Sequence, residues 1–168
     1  MRQYVKSDPR QVMNTDIPFP GMPFEWYFDE KIEDWGISRL SKGIINISNP
    51  EEIIRVRRRH YQALNEAVQD SRSGGVRSLF EGLPEKVCPL LMAVVVTDPL
   101  SWVRELRKLN VFAIRWWSGY HRNFSWHGFP EACDLKNRLL AFRINQHLED
   151  GQIEYVADCI REVSLKLR

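Results

Sequence analysis

The sequence predicts an α+β domain in which a small sheet of about three strands is covered by helices. Two observations carry that class. Three short apolar runs, residues 90–96, 111–117 and 139–145, have the length and composition of strands. Two longer stretches, residues 50–70 and 150–167, instead repeat their apolar residues at helical spacing.

In chain order, residues 1–34 read as an irregular arm. Pro9, Pro18, Pro20 and Pro23 lack an N–H and fix φ, which prevents a regular helix or a central strand. The aromatic cluster Phe24, Trp26, Tyr27 and Phe28 is too apolar for a solvated linker, so the arm is expected to lie on another surface. Residues 35–168 form the domain. A short helix is predicted over 38–47. Asn49 and Pro50 then open a second helix, Asn49 as a cap, Pro50 at the first helical position, and Glu51 and Glu52 against the positive end of the dipole. Ile54, Tyr61, Leu64 and Val68 make its apolar stripe, and residues 71–75 end it.

Residues 90–96 are a continuous apolar run, as expected of a strand covered on both faces. Asp98 and Pro99 open a helix to about residue 109, and Asn110 supplies a left-handed stop. Residues 111–117 return as a strand, so strand, helix and strand together predict a compact α/β unit. After an aromatic loop, Pro130 begins a short helix to about residue 138, and residues 139–145 give a third strand. The last helix turns Ile153, Val156, Ala157, Ile160 and Val163 inward.

With 168 residues the chain is long enough for one substantial core, and 43% hydrophobic with 27% charged residues is the balance of a globular protein. A net charge of +2 is too mild to direct the chain to nucleic acid. Cys88, Cys133 and Cys159 form no close pair, which fits a reducing compartment. No apolar run reaches the roughly 20 residues that span a bilayer, and the first residues lack the core of a signal peptide. The expectation is a cytoplasmic protein without a membrane partner.

Several constellations invite chemical readings. His121, His127 and Cys133 are spaced by six, which matches no zinc motif, and Cys133 beside His127 lacks any sign of a strained nucleophile turn. Neither a metal nor a catalytic nucleophile is expected. Arg55, Arg57, Arg58 and Arg59 with His60 could grip phosphate, but on a helix they spread over more than half the circumference, as on a solvated face with one or two inward ion pairs. Arg115 among Trp116, Trp117, Tyr120, Phe124 and Trp126 could clamp a sugar or planar ligand, although aromatic residues more often close a core. Gly-rich phosphate loops are absent.

Gly36-Ile37-Ser38-Arg39-Leu40-Ser41, followed by the run Arg57-Arg58-Arg59-His60-Tyr61-Gln62-Ala63-Leu64, resembles the DegT/DnrJ-type sugar aminotransferases. Further along, Val87-Cys88-Pro89-Leu90, Asn110-Val111-Phe112-Ala113, Phe129-Pro130-Glu131-Ala132 and Phe142-Arg143-Ile144-Asn145-Gln146 fall in that family's order. The resemblance covers residues 35–167. It implies the C-terminal small domain of a fold-type-I aminotransferase, in a family that moves an amino group from glutamate to a keto-sugar nucleotide with pyridoxal phosphate. On that resemblance Ser38 and Arg39 are the cofactor-binding candidates, Ser38 matching a residue that approaches the phosphate of the neighbouring subunit. Arg115, Trp116, Trp117 and Tyr120 are the substrate-binding candidates.

The departures are as informative. The family's Schiff-base lysine lies upstream of the matched region, and Lys42 does not occupy its position. A proline and a histidine of the family's third strand are replaced by Arg143 and Asn145, and a further histidine by Arg115. The expectation is a truncated or split aminotransferase with no catalytic residue and no cofactor of its own, inactive without a large domain that supplies them. Its expected partners are that large domain or a second copy in a homodimer. The rival expectation is a non-catalytic interaction protein that kept the small-domain fold.

Overall fold

The computed structural model describes residues 34–116 and 125–168. Helix α1 covers Arg39–Ile47 and α2 covers Pro50–Asp70. The side chain of Asn49 accepts the Glu52 N–H at 3.1 Å, so the predicted cap, proline and acidic first turn all sit where expected. A 3₁₀ turn over Arg72–Gly74 and the left-handed Gly75 (φ 75°) lead into β1, Val76–Ser78. Strand β2 is Leu91–Val96 and α3 is Pro99–Lys108. The carboxylate of Asp98 accepts the N–H groups of Leu100 and Ser101, and the Ser101 side chain first, then these backbone bonds, hold its pKa below the usual carboxylate value. At the other end Asn110 (φ 56°) terminates α3. The Asn110 N–H bonds Arg107 O and the Val111 N–H bonds Leu106 O, a Schellman closure.

Strand β3 is Ile114–Arg115, α4 is Pro130–Arg138, β4 is Leu139–Arg143 and α5 is Asp150–Lys166. The sheet is antiparallel in the order β1-β2-β4-β3, with Met92 opposite Phe142, Val94 opposite Leu140, and Ile114 opposite Ala141. Because β4 lies between β2 and β3, these two run parallel without touching. The strand-helix-strand unit expected from the sequence is therefore split by a later strand.

Three expectations need correction. The sheet has four strands, since β1 follows the helix end at residues 71–75 in a segment to which the sequence assigned no element. Of the described residues of the strand expected over 111–117, only Ile114 and Arg115 join the ladder, and the Val111 N–H is already committed to closing α3. In α2 no residue before Val56 is buried, so Ile54 stays 38% exposed, and the buried stripe is Val56, His60, Tyr61, Leu64, Ala67 and Val68.

One sheet face contributes Val76, Met92, Val94, Val96, Leu140 and Phe142 to the main core, where they meet Leu64 and Val68 of α2, Trp102 and Leu106 of α3, and Ile153, Ile160 and Val163 of α5. Each fully buried side chain of this size stabilises by about 1.5–3 kcal/mol. Helix α4 packs near β2 as well.

The buried carboxylate of Glu105 joins α3 to the end of α5. It accepts from Lys108 Nζ at 2.7 Å and Lys166 Nζ at 2.6 Å. Those bonds, Lys108 first, lower its pKa from 4.5 to about 2. A carboxyl depressed in the folded state contributes stability above its unfolded pKa and loses it as pH falls. Wild type and Glu105→Gln should therefore differ in urea midpoint at pH 7, and the difference should shrink between about pH 4.5 and 2. A difference that stays constant with pH would exclude the ion pairs as its source.

Candidate functional site

Ser38 is the N-cap of α1. Its hydroxyl accepts the Ser41 N–H at 3.0 Å and lies 2.9 Å from the Ser41 hydroxyl. One hydroxyl has a single donor and two acceptor sites, so Ser38 keeps only limited capacity for a ligand. Arg39 follows at the first helical position and is exposed. Arg115 and Trp116 are half-buried at the edge strand, where the Trp116 N–H donates to Leu139 O at 3.3 Å. Among the described residues neither Arg39 nor Arg115 has an ion-pair or hydrogen-bond partner for its guanidinium. Trp117, Tyr120, His121 and Phe124 lie outside the described residues.

The basic run of α2 is committed to the domain itself. Arg55 grips Glu52 through two bonds of 2.8 and 2.6 Å. Arg57 donates to Gln146 Oε1 at 2.9 Å, and Arg59 to Asp150 Oδ1 at 2.7 Å. Arg58 donates to the carbonyls of Pro84, Val87 and Leu83. Those of Arg57, Arg58 and Arg59 tie α2 to the segment between β4 and α5, to the 83–87 loop and to the first residue of α5, so the run is a fastening and not a phosphate grip. His60 is buried, with Nε2 3.4 Å from the same Asp150 oxygen.

One position where the sequence departs from the resembled family, Asn145, lies in the segment between β4 and α5. Asn145 Oδ1 accepts the His147 N–H at 3.0 Å, and Gln146 bridges Arg57 and the His147 ring. Arg143 ends β4 and is exposed.

Near the aromatic loop, Lys136 Nζ sits 5.2 Å from the centroid of the Trp126 ring, and burial pushes its pKa down. Cys133 Sγ lies 3.7 Å from Trp126 O. Among the described residues no three histidine, cysteine or acidic groups gather as a metal site. No helix there is long and apolar enough to cross a membrane.

The sequence reading placed α1 but missed its exposure. Trp35 (77%), Leu40 (74%) and Ile47 (85%) are open to solvent, as are Ile37, Ile44 and Ile45, and no residue of α1 is buried. The spacing of Ile37, Leu40, Ile44 and Ile47 was a visible signal of an apolar stripe.

The fold has relatives of known structure. A putative sugar aminotransferase from Streptococcus pneumoniae, solved in PMP, PLP and apo forms, superposes on 76% of this chain with a TM-score of 0.62 for the PMP form. The matched part is 35% of that protein, at 15% identity. An aminotransferase from Streptoalloteichus hindustanus matches 76% of this chain and 36% of its own, with TM-score 0.61 and 20% identity. A DegT DnrJ EryC1 StrS aminotransferase from Brucella abortus matches 73% of this chain and 33% of its own, with TM-score 0.58 and 14% identity. No protein-family model matches the sequence, and no curated protein does. The chain thus has the fold of part of a DegT/DnrJ-type sugar aminotransferase, and it spans about a third of the length of those structures.

Pyridoxal phosphate needs a desolvated amine to hold its aldehyde and a donor set for its phosphate. Among the described residues no lysine is buried: Lys42, Lys86, Lys108 and Lys166 are exposed, and Lys136 is half-buried against Trp126. Lys108 and Lys166 are further engaged by Glu105. Ser38 is partly spent on its own helix. The described residues do not by themselves fit the cofactor.

Proposed function

We propose that this chain supplies the small-domain portion of a pyridoxal-phosphate sugar aminotransferase and takes part in catalysis only together with a large domain that carries the cofactor lysine. The observation that carries the reading is the shared fold with one third of three such enzymes. The lack of a buried amine among the described lysines supports the second half of it. In this reading Ser38 donates its one hydroxyl proton toward the cofactor phosphate while still capping α1, and Arg39 adds charge beside it. Arg115, Trp116, Trp117 and Tyr120 face the sugar substrate, with Arg115 suited to an anionic group.

The test is amino transfer from glutamate to a keto-sugar nucleotide, assayed for the chain alone and for the chain co-expressed with the remaining two thirds of an aminotransferase of this type. Turnover is expected only in the second case. Turnover by the chain alone would defeat the reading.

A second reading, a non-catalytic interaction protein, is favoured by the exposed apolar face of α1, because a patch of that kind marks a contact surface. Failure of the co-expressed pair to associate, with the chain still folded, would move the weight to it.

A further inference from the structure

A thiol and an amine share one face of α4, away from the cofactor candidates. Cys133 and Lys136 are three residues apart in this nine-residue helix, which makes them neighbours on its surface. Both turn to the same tryptophan of the preceding loop. The Cys133 thiol donates to the Trp126 carbonyl at 3.7 Å, and Lys136 Nζ lies 5.2 Å from the Trp126 ring centroid. Both residues are half-buried, whereas Lys42, Lys86, Lys108 and Lys166 are exposed. Asp134, the acidic residue closest to Lys136 in the helix, is held by Arg138 at 3.2 Å.

These surroundings bear on reactivity. Burial lowers the pKa of Lys136, against an opposing effect of charge on Cys133 that places the sulfur within electrostatic reach of the amine. A larger share of this amine is therefore neutral and nucleophilic than of an exposed lysine. An amine still attacks a thioester slowly from solution, while a cysteine is intrinsically the stronger nucleophile through its thiolate fraction. A thiol beside a neutral amine divides that one difficult reaction into two easier ones.

We propose that Cys133 and Lys136 form an acyl-capture site that takes the acyl group of a thioester and ends as N-acyl-Lys136. In the first step the Cys133 thiolate attacks the thioester carbonyl. The bond to the donor's sulfur breaks, and the donor leaves as a thiolate that takes up the proton Cys133 released. In the second step Lys136 Nζ attacks the same carbonyl, the amide bond forms, the bond to Cys133 Sγ breaks, and a proton of the amine passes to that sulfur. One thioester becomes one amide and one thiol, Cys133 is restored, and no oxidant or reductant takes part. The product loses the charge of Lys136 and its cation–π contact, which removes one tie between α4 and the loop before it. This inference concerns α4 alone and holds whether or not the chain works as part of an aminotransferase.

The test is incubation of the folded full-length chain with acetyl-coenzyme A, with acetyl groups mapped over time by peptide mass spectrometry. Lys136 should gain acetyl at least about tenfold faster than Lys42, a small part of what proximity yields in well-oriented pairs. Cys133→Ser should lose that advantage. Acetyl phosphate, which acylates amines directly, should label Lys136 at the same rate in wild type and variant. Equal thioester acetylation of Lys136 in both proteins, a rate at Lys136 no greater than at Lys42, or acetyl that stays on Cys133 would overturn the proposal. A matching loss with acetyl phosphate would also overturn it, because the substitution would then act on the amine's surroundings and not on a relay through sulfur. If Cys133→Ser does not fold, wild type with its thiols blocked by iodoacetamide takes its place, read by the same outcomes.

Discussion

Gly74→Ala is expected to destabilise the chain by about 3 kcal/mol, read as a lowered urea midpoint. The 3₁₀ turn after α2 brings buried Gly74 against α5 at Ser164. A methyl group there would collide with the hydroxyl and the carbonyl oxygen of Ser164 and lie 2.8 Å from its carbonyl carbon. The hydroxyl could rotate away, but the carbonyl belongs to the backbone of a helix packed on α2 and α3. Removing a glycine gains about 0.4–1 kcal/mol by restricting the unfolded chain, which is too little to offset the clash. The contact also has a bonded frame: Ser164 Oγ donates to Ser71 O at 2.9 Å, and Ser71 Oγ donates to Ala67 O at 2.7 Å. Ser164→Ala alone should cost about 1 kcal/mol through the lost bond. Combined with Gly74→Ala it should rescue little, because the backbone wall remains. An unchanged midpoint for Gly74→Ala, or full rescue by the second change, would show that α5 can move away and that this junction is not fixed.

The fold was largely legible where local chemistry decides. Asn49 with Pro50, Asp98 with Pro99, and Asn110 each mark a helix end through bonds made within a few residues, and all three act as read. What escaped depends on distant pairing. The three residues of β1 are too few to show alternation, and only Val94, Val95 and Val96 opposite them make them a strand. The apolar run after Asn110 looked like a longer strand, yet Val111 belongs to the end of α3. The arginine run of α2 was visible as charge, but its partners Gln146 and Asp150 lie about ninety residues away. Of the candidate site, the helix start that carries two of its residues was legible. Ser38 and Arg39 sit at the start of α1 as expected, whereas the exposure of that whole helix follows from what covers it, which periodicity does not encode.

The described residues share the fold of part of an aminotransferase, and none of their lysines is the buried amine that would hold its coenzyme. Such an amine must be neutral at working pH, which burial achieves by penalising its charged form. Burial lowers the pKa of Lys136, but its amine faces the Trp126 ring from α4, far along the chain from the phosphate candidates Ser38 and Arg39. An exposed lysine reacts with an aldehyde only in proportion to its small neutral fraction, so any adducts should be scattered. The direct measurement is incubation of the purified chain with pyridoxal phosphate, reduction with borohydride, and mapping of the pyridoxyl group by peptide mass spectrometry. The expected result is substoichiometric label spread over several lysines, with no protection by added phosphate. One label per chain on a single lysine, suppressed by phosphate, would contradict it.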